Sequence, residues 1–305
     1  MLYKPAHNLL CLAVSRYAKI GLRRITPQSR IDISSKSKTL ELLSTFSSSP
    51  EKRYFSLSIS DMADQVQTSA PPTRAKNDLS DMRKPYRDQD DGIEESQLPS
   101  RDPIKLFEVW FNMAKESNTV YEPNAFCICT ASKDGQPSAR MVLMKGFDDD
   151  GFRFFTHYSS QKGQNIAENP KVSMLFYWDS FNRQVRVEGK AEKLPQEVGE
   201  AYFKRRPQSS QIGAAISDQC SLIESREALM NRYDDLKARL GEEPPAKPPT
   251  WGGYLVRPER FEFWQGNTNR VHDRIIFRRP VEGEKVDEKV TRPAEKGWLM
   301  ERMLP

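Results

Sequence analysis

Short runs rich in β-branched and aromatic residues follow one another along most of the chain after residue 124. They lie at 125–132, 138–147, 152–157, 171–178, 183–190, 251–257, 260–266, 273–279 and 297–303. Turn sequences such as Lys133-Asp134-Gly135-Gln136 separate several of them, which is typical of antiparallel hairpins. So many hairpins argue against a doubly wound sheet. They predict a mainly β fold, a closed or split β-barrel with peripheral helices.

Four segments have helical periodicity instead. They are 103–116, 161–168, 195–205 and 224–240. Asp102 and Pro103 supply an N-cap and a proline at the first helical position, and Asn169-Pro170 ends the second helix. These helices are too few to cover both faces of a large sheet, so we expect them at the periphery of the strands.

Positive charge is concentrated at the beginning of the chain. The net charge is +5, yet residues 1–60 hold ten Lys and Arg against three acids, so the remainder carries the difference, −2. The slightly negative charge of residues 61–305 argues against nucleic-acid binding. No run approaches the ~18 apolar residues that span a bilayer, so we expect no membrane segment.

Residues 1–60 have the composition of a mitochondrial transit peptide. They are rich in serine, and no acid occurs before Asp32. An inert disordered tail is the alternative. A shorter product that starts near Met62 would be cytoplasmic. Residues 61–98 are polar and predict a flexible linker or lid segment, which leaves 99–305 as the folded domain.

The four cysteines are too few for a disulfide framework. Cys127 and Cys129 would share one face of a strand, where core packing is the favoured interpretation over a metal site. With only three histidines in the chain, we expect no bound metal.

Several motifs of nucleotide, zinc and serine chemistry are absent, namely the Walker loop, GxGxxG, HExxH and GxSxG. Instead, Arg and Lys are mixed with hydroxyl and amide side chains at 138–145, 159–163, 204–211 and 269–274. Such donors suit phosphate monoesters because charge-assisted hydrogen bonds to the dianion are strong. Taken singly, each cluster is better interpreted as a solvated surface patch.

Two features favour binding sites over surface patches. Tyr202 and Arg206 lie four residues apart near a helix end at Pro207, with Ser210 in the following loop, which suggests a phosphate pocket. Aromatic residues at 261–264 precede the basic segment 270–274 and would suit a planar heterocycle. For Trp264, an aromatic core strand is an equal alternative.

Five separated segments resemble the pyridoxine/pyridoxamine 5′-phosphate oxidase family. They are 139–147, 183–189, 206–213, 262–274 and 298–305, and the similarity runs from about residue 81 to 305. The resemblance implies a split β-barrel that binds flavin mononucleotide (FMN). It also implies a homodimer with two FMN sites at the subunit interface, each built from both chains.

The resemblance also implies roles for individual residues. Positions that match FMN-binding residues are Arg140, Met141, Val142, Leu143, Phe155, Thr156, Gln161, Lys162, Gln184, Gln219, Cys220, Trp264 and Arg274. Positions that match the substrate site are Lys145, Tyr202, Arg206 and Ser210 for its phosphate, Arg270 and His272 over its ring, and Arg83 and Tyr86 in a covering segment. Arg270 and His272 are the expected catalytic pair: Arg270 would orient and polarise the substrate, and His272 would position it or relay a proton.

Two positions depart from the family pattern. Gln161 stands where the family usually has Arg, and Cys220 where it usually has Ser. Losing one charged hydrogen bond costs about 1.5–3 kcal/mol, so we expect weaker FMN retention.

The implied reaction is oxidation of pyridoxamine or pyridoxine 5′-phosphate by O2 to pyridoxal 5′-phosphate and H2O2, with NH3 released from the amine. Hand-over of the product to client enzymes would be compatible with it. The alternatives are a non-catalytic carrier of flavin or pyridoxal phosphate, and an FMN-barrel reductase for another substrate.

Overall fold

A computed structural model of the chain describes residues 31–33, 39–43, 54–58, 79, 81–82, 92–268 and 270–305. They belong to two compact units, Met1–Arg83 and Lys84–Pro305. In the first unit, the strands β1 (Ile31–Ile33), β2 (Thr39–Leu43) and β3 (Tyr54–Ser58) form an antiparallel sheet in that order. The predicted leader and linker boundaries at residues 60 and 98 stay predictions.

The second unit contains ten strands and five α-helices among its described residues. The strands are β4 (Ala125–Ala131), β5 (Pro137–Leu143), β6 (Gly146–Asp148), β7 (Gly151–His157), β8 (Lys171–Trp178), β9 (Arg183–Lys193), β10 (Trp251–Gln265), β11 (Asp273–Arg278), β12 (Thr291–Pro293) and β13 (Leu299–Arg302). The helices are α1 (Pro103–Glu116), α2 (Gln161–Glu168), α3 (Gln196–Arg205), α4 (Gln208–Ile216) and α5 (Arg226–Leu240). None of the described helices is long and apolar enough to cross a membrane.

The ten strands form one antiparallel sheet that stays open. Its order is β12-β13-β11-β10-β9-β8-β4-β5, and β7 pairs with β10 and β6. Strand β5, at one end of this order, approaches the branch formed by β6 and β7 at the connection between β5 and β6. There Met144 N–H donates to Asn124 O, and Lys145 N–H donates to Arg153 O, both at 2.8 Å. The mainly β fold with peripheral helices is confirmed, whereas the closed-barrel alternative is wrong.

Strand β10 merges two predicted strands. Its register against β9 shifts between Pro258 and Arg260, because proline has no N–H to donate and the ladder is interrupted there. Before the shift β10 also pairs with β7, and after it with β11. Gly189 lies opposite the shift, where a Cβ atom would approach Arg257 O to 2.0 Å, so only glycine fits.

Helix α1 covers the core face of the sheet. It begins as predicted: Asp102 Oδ1 accepts a hydrogen bond from Ile104 N–H at 2.9 Å. Its Phe107 is fully buried and meets the rings of Phe152 and Phe176 edge-on, with centroids 4.9 and 5.0 Å away. Aromatic packing of this kind fixes α1 on the strands.

The opposite, outer face of the sheet is only partly covered by the described residues. On β4, Phe126 and Ile128 are buried on the core face, while Cys127 and Cys129 are half-buried on the outer face. The two cysteines share a face as predicted, but the prediction of core packing is wrong. Period-two alternation alone does not reveal which face of a strand is the buried one.

Candidate active site

Lys162 is a buried cation at the start of α2. Its side chain is 6 % exposed, and its ammonium donates to Thr156 Oγ1 (3.2 Å), Ser160 Oγ (3.2 Å) and Gln219 Oε1 (2.8 Å). These acceptors are neutral, and no carboxylate pairs with Lys162 among the described residues. Burial lowers the pKa of Lys162, and the charge of Arg140 adds to that effect. The ammonium is hydrogen-bonded, but its charge is not neutralised.

Arg140 on β5 is a second cation without a carboxylate partner in the described part of the chain. Its guanidinium donates to Thr130 Oγ1 at 2.9 Å and to Ser138 Oγ at 2.6 Å. Asn165 of α2 donates to the same two hydroxyl oxygens, at 3.0 and 3.2 Å. We call Arg140, Lys162, Thr156 and Gln219 the buried cation cluster.

A polar cavity of about 360 Å³ adjoins this cluster. Gln161, Gln219, Cys220 and the acidic Asp218 line it, as does Ser159, whose buried hydroxyl has no partner among the described residues. Lys162 adjoins the cavity through its hydrogen bond to Gln219, so a cation, an unpaired hydroxyl and side-chain amides lie where they can donate to a phosphate dianion. A phosphate group suits this place, and both Gln161 and Cys220 line the cavity. Their predicted contact with the phosphate of FMN stays a prediction.

Tyr202 and Arg206 lie together at the end of α3. The Tyr202 ring stacks on Phe155 at 4.1 Å, and the Arg206 guanidinium lies 5.0 Å from the ring centre of Trp251. Burial lowers the pKa of Arg206, and its buried Nη1 has no hydrogen-bond partner in the described chain. This unpaired donor is suited to a second phosphate.

The prediction that Ser210 lies in a loop is wrong. Pro207 ends α3 and also precedes α4, so Ser210 lies in the first turn of a helix, and its N–H donates to Pro207 O at 2.9 Å. Arg206 thus immediately precedes a helix N-terminus, which favours anions. Lys145 is exposed beyond β5, and no described contact joins its ammonium to Tyr202 or Arg206.

A second cavity, of about 340 Å³, opens on the outer face. Gln184, Trp264 and Arg274 line it together with Leu175, Arg186, Glu262 and Pro305. Arg274 donates to both oxygens of Glu262 at 3.1 Å, and Arg186 also pairs with Glu262. Burial alone would raise the pKa of Glu262, but the hydrogen bonds from Arg274 and Arg186 outweigh it and lower the pKa. We call this space the outer cavity.

Arg270 and His272 lie in the turn between β10 and β11. Arg270 is exposed and has a φ of 60°, a left-handed conformation that is uncommon outside glycine. The His272 ring lies 4.9 Å from the ring of Trp264. His272 therefore lies next to a residue that lines the outer cavity, and Arg270 lies two residues away in the same turn.

The buried cation cluster and the outer cavity lie on opposite faces of the sheet. Arg140 is the register partner of Ile128, which faces the core. Trp264 is the register partner of both Gln184 and Arg274, and the three share the other face. Thr156 and Phe155 likewise point to opposite faces of β7 because side chains alternate along a strand. One protomer does not bring all the predicted FMN residues together.

The remaining predicted residues that the structure describes line neither of the two cavities. Met141 is 63 % exposed on the outer face, and Val142 packs against the core, while Leu143 is half-buried at the end of β5. Arg83 and Tyr86 lie outside the described residues.

Sequence reasoning missed several groups that order the site. They are Thr130 and Asn165 beside Arg140, His157 at the end of β7, and Arg186 and Glu262 in the outer cavity. Ser138 and Ser160 lie within the predicted donor segments, and they accept hydrogen bonds from Arg140 and Lys162. Opposite charges at alternate positions of β9 and β10 are a signal for Arg186 and Glu262, but only once the register of these strands is known.

The chain matches two family models along most of the second unit. Residues 113–239 match the model described as pyridoxamine 5′-phosphate oxidase, and residues 251–305 match the pyridoxine 5′-phosphate oxidase C-terminal dimerisation region. The chain is 48 % identical to the pyridoxine-5′-phosphate oxidase of Bos taurus over 76 % of this chain and 89 % of the relative. It is 45 % identical to the pyridoxine/pyridoxamine 5′-phosphate oxidase of Bombyx mori over 75 % of this chain and 90 % of the relative.

Solved structures have the same fold. PhzG from Burkholderia lata 383, in complex with tetrahydrophenazine-1-carboxylic acid, superposes with a TM-score of 0.61 at 27 % identity, over 71 % of this chain and 99 % of PhzG. A pyridoxamine 5′-phosphate oxidase-related, FMN-binding protein from Nostoc punctiforme superposes with a TM-score of 0.50 at 17 % identity, over 67 % of this chain and 98 % of that protein, and supports the fold alone. From the family models and the two close relatives, the chain belongs to the pyridoxine/pyridoxamine 5′-phosphate oxidase family.

Proposed function

We propose that this chain is an FMN-dependent oxidase that converts pyridoxamine and pyridoxine 5′-phosphate into pyridoxal 5′-phosphate. The curated relatives named for this oxidase support the activity and the substrate class. The observation that carries the proposal is the pair of cations Arg140 and Lys162, which have no carboxylate partner among the described residues. Lys162 donates to Gln219, which lines the polar cavity.

We propose FMN as the cofactor because its phosphate matches the donors of the buried cation cluster. Gln184, Trp264 and Arg274 would hold the ring system in the outer cavity, where an indole and a guanidinium suit a planar heterocycle. When bound, FMN would supply the two-electron acceptor for the oxidation, with O2 as the final oxidant.

The residues around Arg206 would bind the substrate phosphate. The unpaired Nη1 of Arg206 and the first turn of α4, which carries Ser210, present donors to a single anion. Tyr202 is fixed beside them by its stacking on Phe155. Lys145 is free to turn toward the bound phosphate because its side chain is exposed.

Arg270 and His272 would act on the substrate ring. The exposed Arg270 guanidinium, in the same turn as His272, would orient the ring and polarise its reacting substituent. We expect Arg270→Ala to lower kcat/KM. An unchanged kcat and kcat/KM would remove Arg270 from the mechanism.

We propose that the active enzyme is a homodimer. Because the buried cation cluster and the outer cavity lie on opposite faces of the sheet, one FMN reaches both groups if they come from two copies of the chain. The match of residues 251–305 to a dimerisation region supports this arrangement, as do the exposed Met141 and Tyr177 on the outer face. Sedimentation analysis of the purified protein tests the oligomeric state.

One assay tests the function against its alternatives. The purified protein is examined for a flavin spectrum, mixed with pyridoxamine 5′-phosphate in air, and assayed for pyridoxal phosphate and peroxide. An oxidase forms both, a carrier forms neither, and a reductase for another substrate carries flavin without using this one. The substrate-phosphate donors at Arg206 and Ser210 favour the oxidase.

For localisation, we propose import of the full chain into mitochondria, on the basis of the basic composition of residues 1–60. Cell fractionation with N-terminal sequencing tests both import and cleavage. Hand-over of pyridoxal phosphate to client enzymes stays a prediction.

A further inference from the structure

The turn that carries Arg270 and His272 is held by hydrogen bonds from Asn267. The Asn267 backbone N–H donates to His272 Nδ1 at 3.0 Å. Its side-chain Nδ2 donates to Val271 O at 2.8 Å and to Asp273 Oδ2 at 2.9 Å. Asn267 thus fixes the His272 ring through its backbone, and through its side chain it fixes Val271 and Asp273, the residues before and after His272.

Asp273 connects this turn to two other parts of the second unit. Its Oδ2 also accepts from Ile93 N–H at 3.0 Å, and its Oδ1 accepts from Arg302 on β13. Arg302 also donates to Glu95 Oε1 at 2.7 Å. The carboxylate is therefore held from several directions, and the Asn267 side chain that it binds has little freedom to rotate.

The bond from Asn267 N–H defines the protonation of the His272 ring. A ring nitrogen that accepts from an amide N–H carries no proton, so a neutral ring has its single proton on Nε2. A proton added to Nδ1 would face the Asn267 N–H and break this bond. Burial and the charge of Arg270 lower the pKa of His272 and outweigh the opposing charge of Asp273, in agreement with a neutral ring.

We propose that Asn267 and Asp273 are positioning residues that hold His272 as the neutral Nε2–H tautomer, so that His272 donates a hydrogen bond to the substrate and accepts no proton from it. The donor role rests on the proposed function, whereas the tautomer does not. Of the two roles expected for His272, this geometry selects positioning over proton relay.

Histidine-selective ¹⁵N NMR of the full-length holoenzyme tests the tautomer directly, because the chain has only His7, His157 and His272. The His272 signals are assigned by their loss in His272→Gln. We expect an unprotonated Nδ1 and a protonated Nε2 in the wild type, and a mixture of tautomers in Asn267→Ala and Asp273→Asn. A protonated Nδ1 in the wild type would overturn the proposal, whatever the stability of the variants.

Kinetics test the donor role. A glutamine amide at position 272 can donate from about the place of Nε2 but does not exchange protons as an acid or base. We expect His272→Gln to keep kcat/KM within about tenfold of wild type, and His272→Ala to lose much more. Loss of general acid–base catalysis costs about 10²–10⁴-fold, so an equally large loss in both variants would refute the donor role.

Lys105→Met is the matched control, since Lys105 is exposed on α1, and its kcat/KM should equal that of wild type. If wild-type protein oxidised no pyridoxamine phosphate, the proposed function and the donor role would be wrong. The NMR signals would still decide the tautomer, so the two failures are distinguishable.

Discussion

Replacing Lys162 by methionine should weaken FMN binding without destabilising the flavin-free protein. In the variant, the Thr156 hydroxyl still donates to Gln219 Oε1 at 3.2 Å, and the Ser160 hydroxyl still donates to His157 O at 2.7 Å. The hydrogen bonds lost, about 1.5–3 kcal/mol each for a charged donor, are offset by the several kcal/mol that it costs to bury an ammonium. We expect the free energy of unfolding to stay within about 1 kcal/mol of wild type or to rise.

The binding of FMN should change in the opposite direction. Loss of a charged contact to the phosphate costs about 1.5–3 kcal/mol, which raises the FMN Kd by roughly 10- to 150-fold. Urea denaturation of the flavin-free protein and a flavin fluorescence titration measure the two quantities, with Lys105→Met as the control. An unchanged Kd with a loss of more than about 3 kcal/mol of stability would mean that Lys162 is a structural cation and refute the reasoning.

Three further predictions concern stability and cofactor retention. Burial and nearby cations lower the pKa of His157 in the folded protein, so the unfolded chain is protonated first on acidification. The free energy of unfolding, measured by urea denaturation, should therefore fall as the pH drops below about 6.5. This fall should be less steep in His157→Asn. In Gly163→Ala, the new Cβ would lie 2.2 Å from a backbone oxygen and should lower Tm at a cost of about 1–3 kcal/mol, whereas Gly213→Ala on α4 meets nothing within 4 Å and should leave Tm equal or higher. Gln161→Arg with Cys220→Ser should lower the FMN Kd, and an unchanged Kd would contradict the expected role of these two positions beside the polar cavity.

Local signals in the sequence were enough to predict several elements. Helix α1 has the predicted bounds because Asp102 and Pro103 specify its start, and α2 ends before Pro170 as expected. Helix α4 was missed because a proline that ends one helix also begins the next. Strand β10 was predicted as two strands because Pro258 interrupts the sequence pattern, whereas the hydrogen bonds to β9 continue on both sides of it.

For the site, residue chemistry was predictable and spatial grouping was not. Two residues predicted to share a ligand, Lys162 and Gln219, are hydrogen-bonded to each other, while anion binding by the basic segments stays a prediction. Whether a strand residue faces the core depends on the register across the whole sheet, so the opposite placement of Arg140 and Arg274 has no local signature. The hydrogen bond between Asn267 and His272 likewise has no local signature, because it depends on the conformation of one turn.

The central position of β10 has a consequence for synthesis of the chain on the ribosome. Strands β7 and β9 come earlier in the sequence, and each leaves one edge that only β10 pairs. Until residues 251–265 have emerged, these edges are open to pairing with other chains, which is the usual route to aggregation of β proteins. We therefore expect ribosome-bound nascent chains that end near residue 240 to be protease-sensitive and to recruit chaperones. The protease sensitivity should disappear in longer nascent chains, in which β10 has emerged from the ribosome and pairs with β7 and β9.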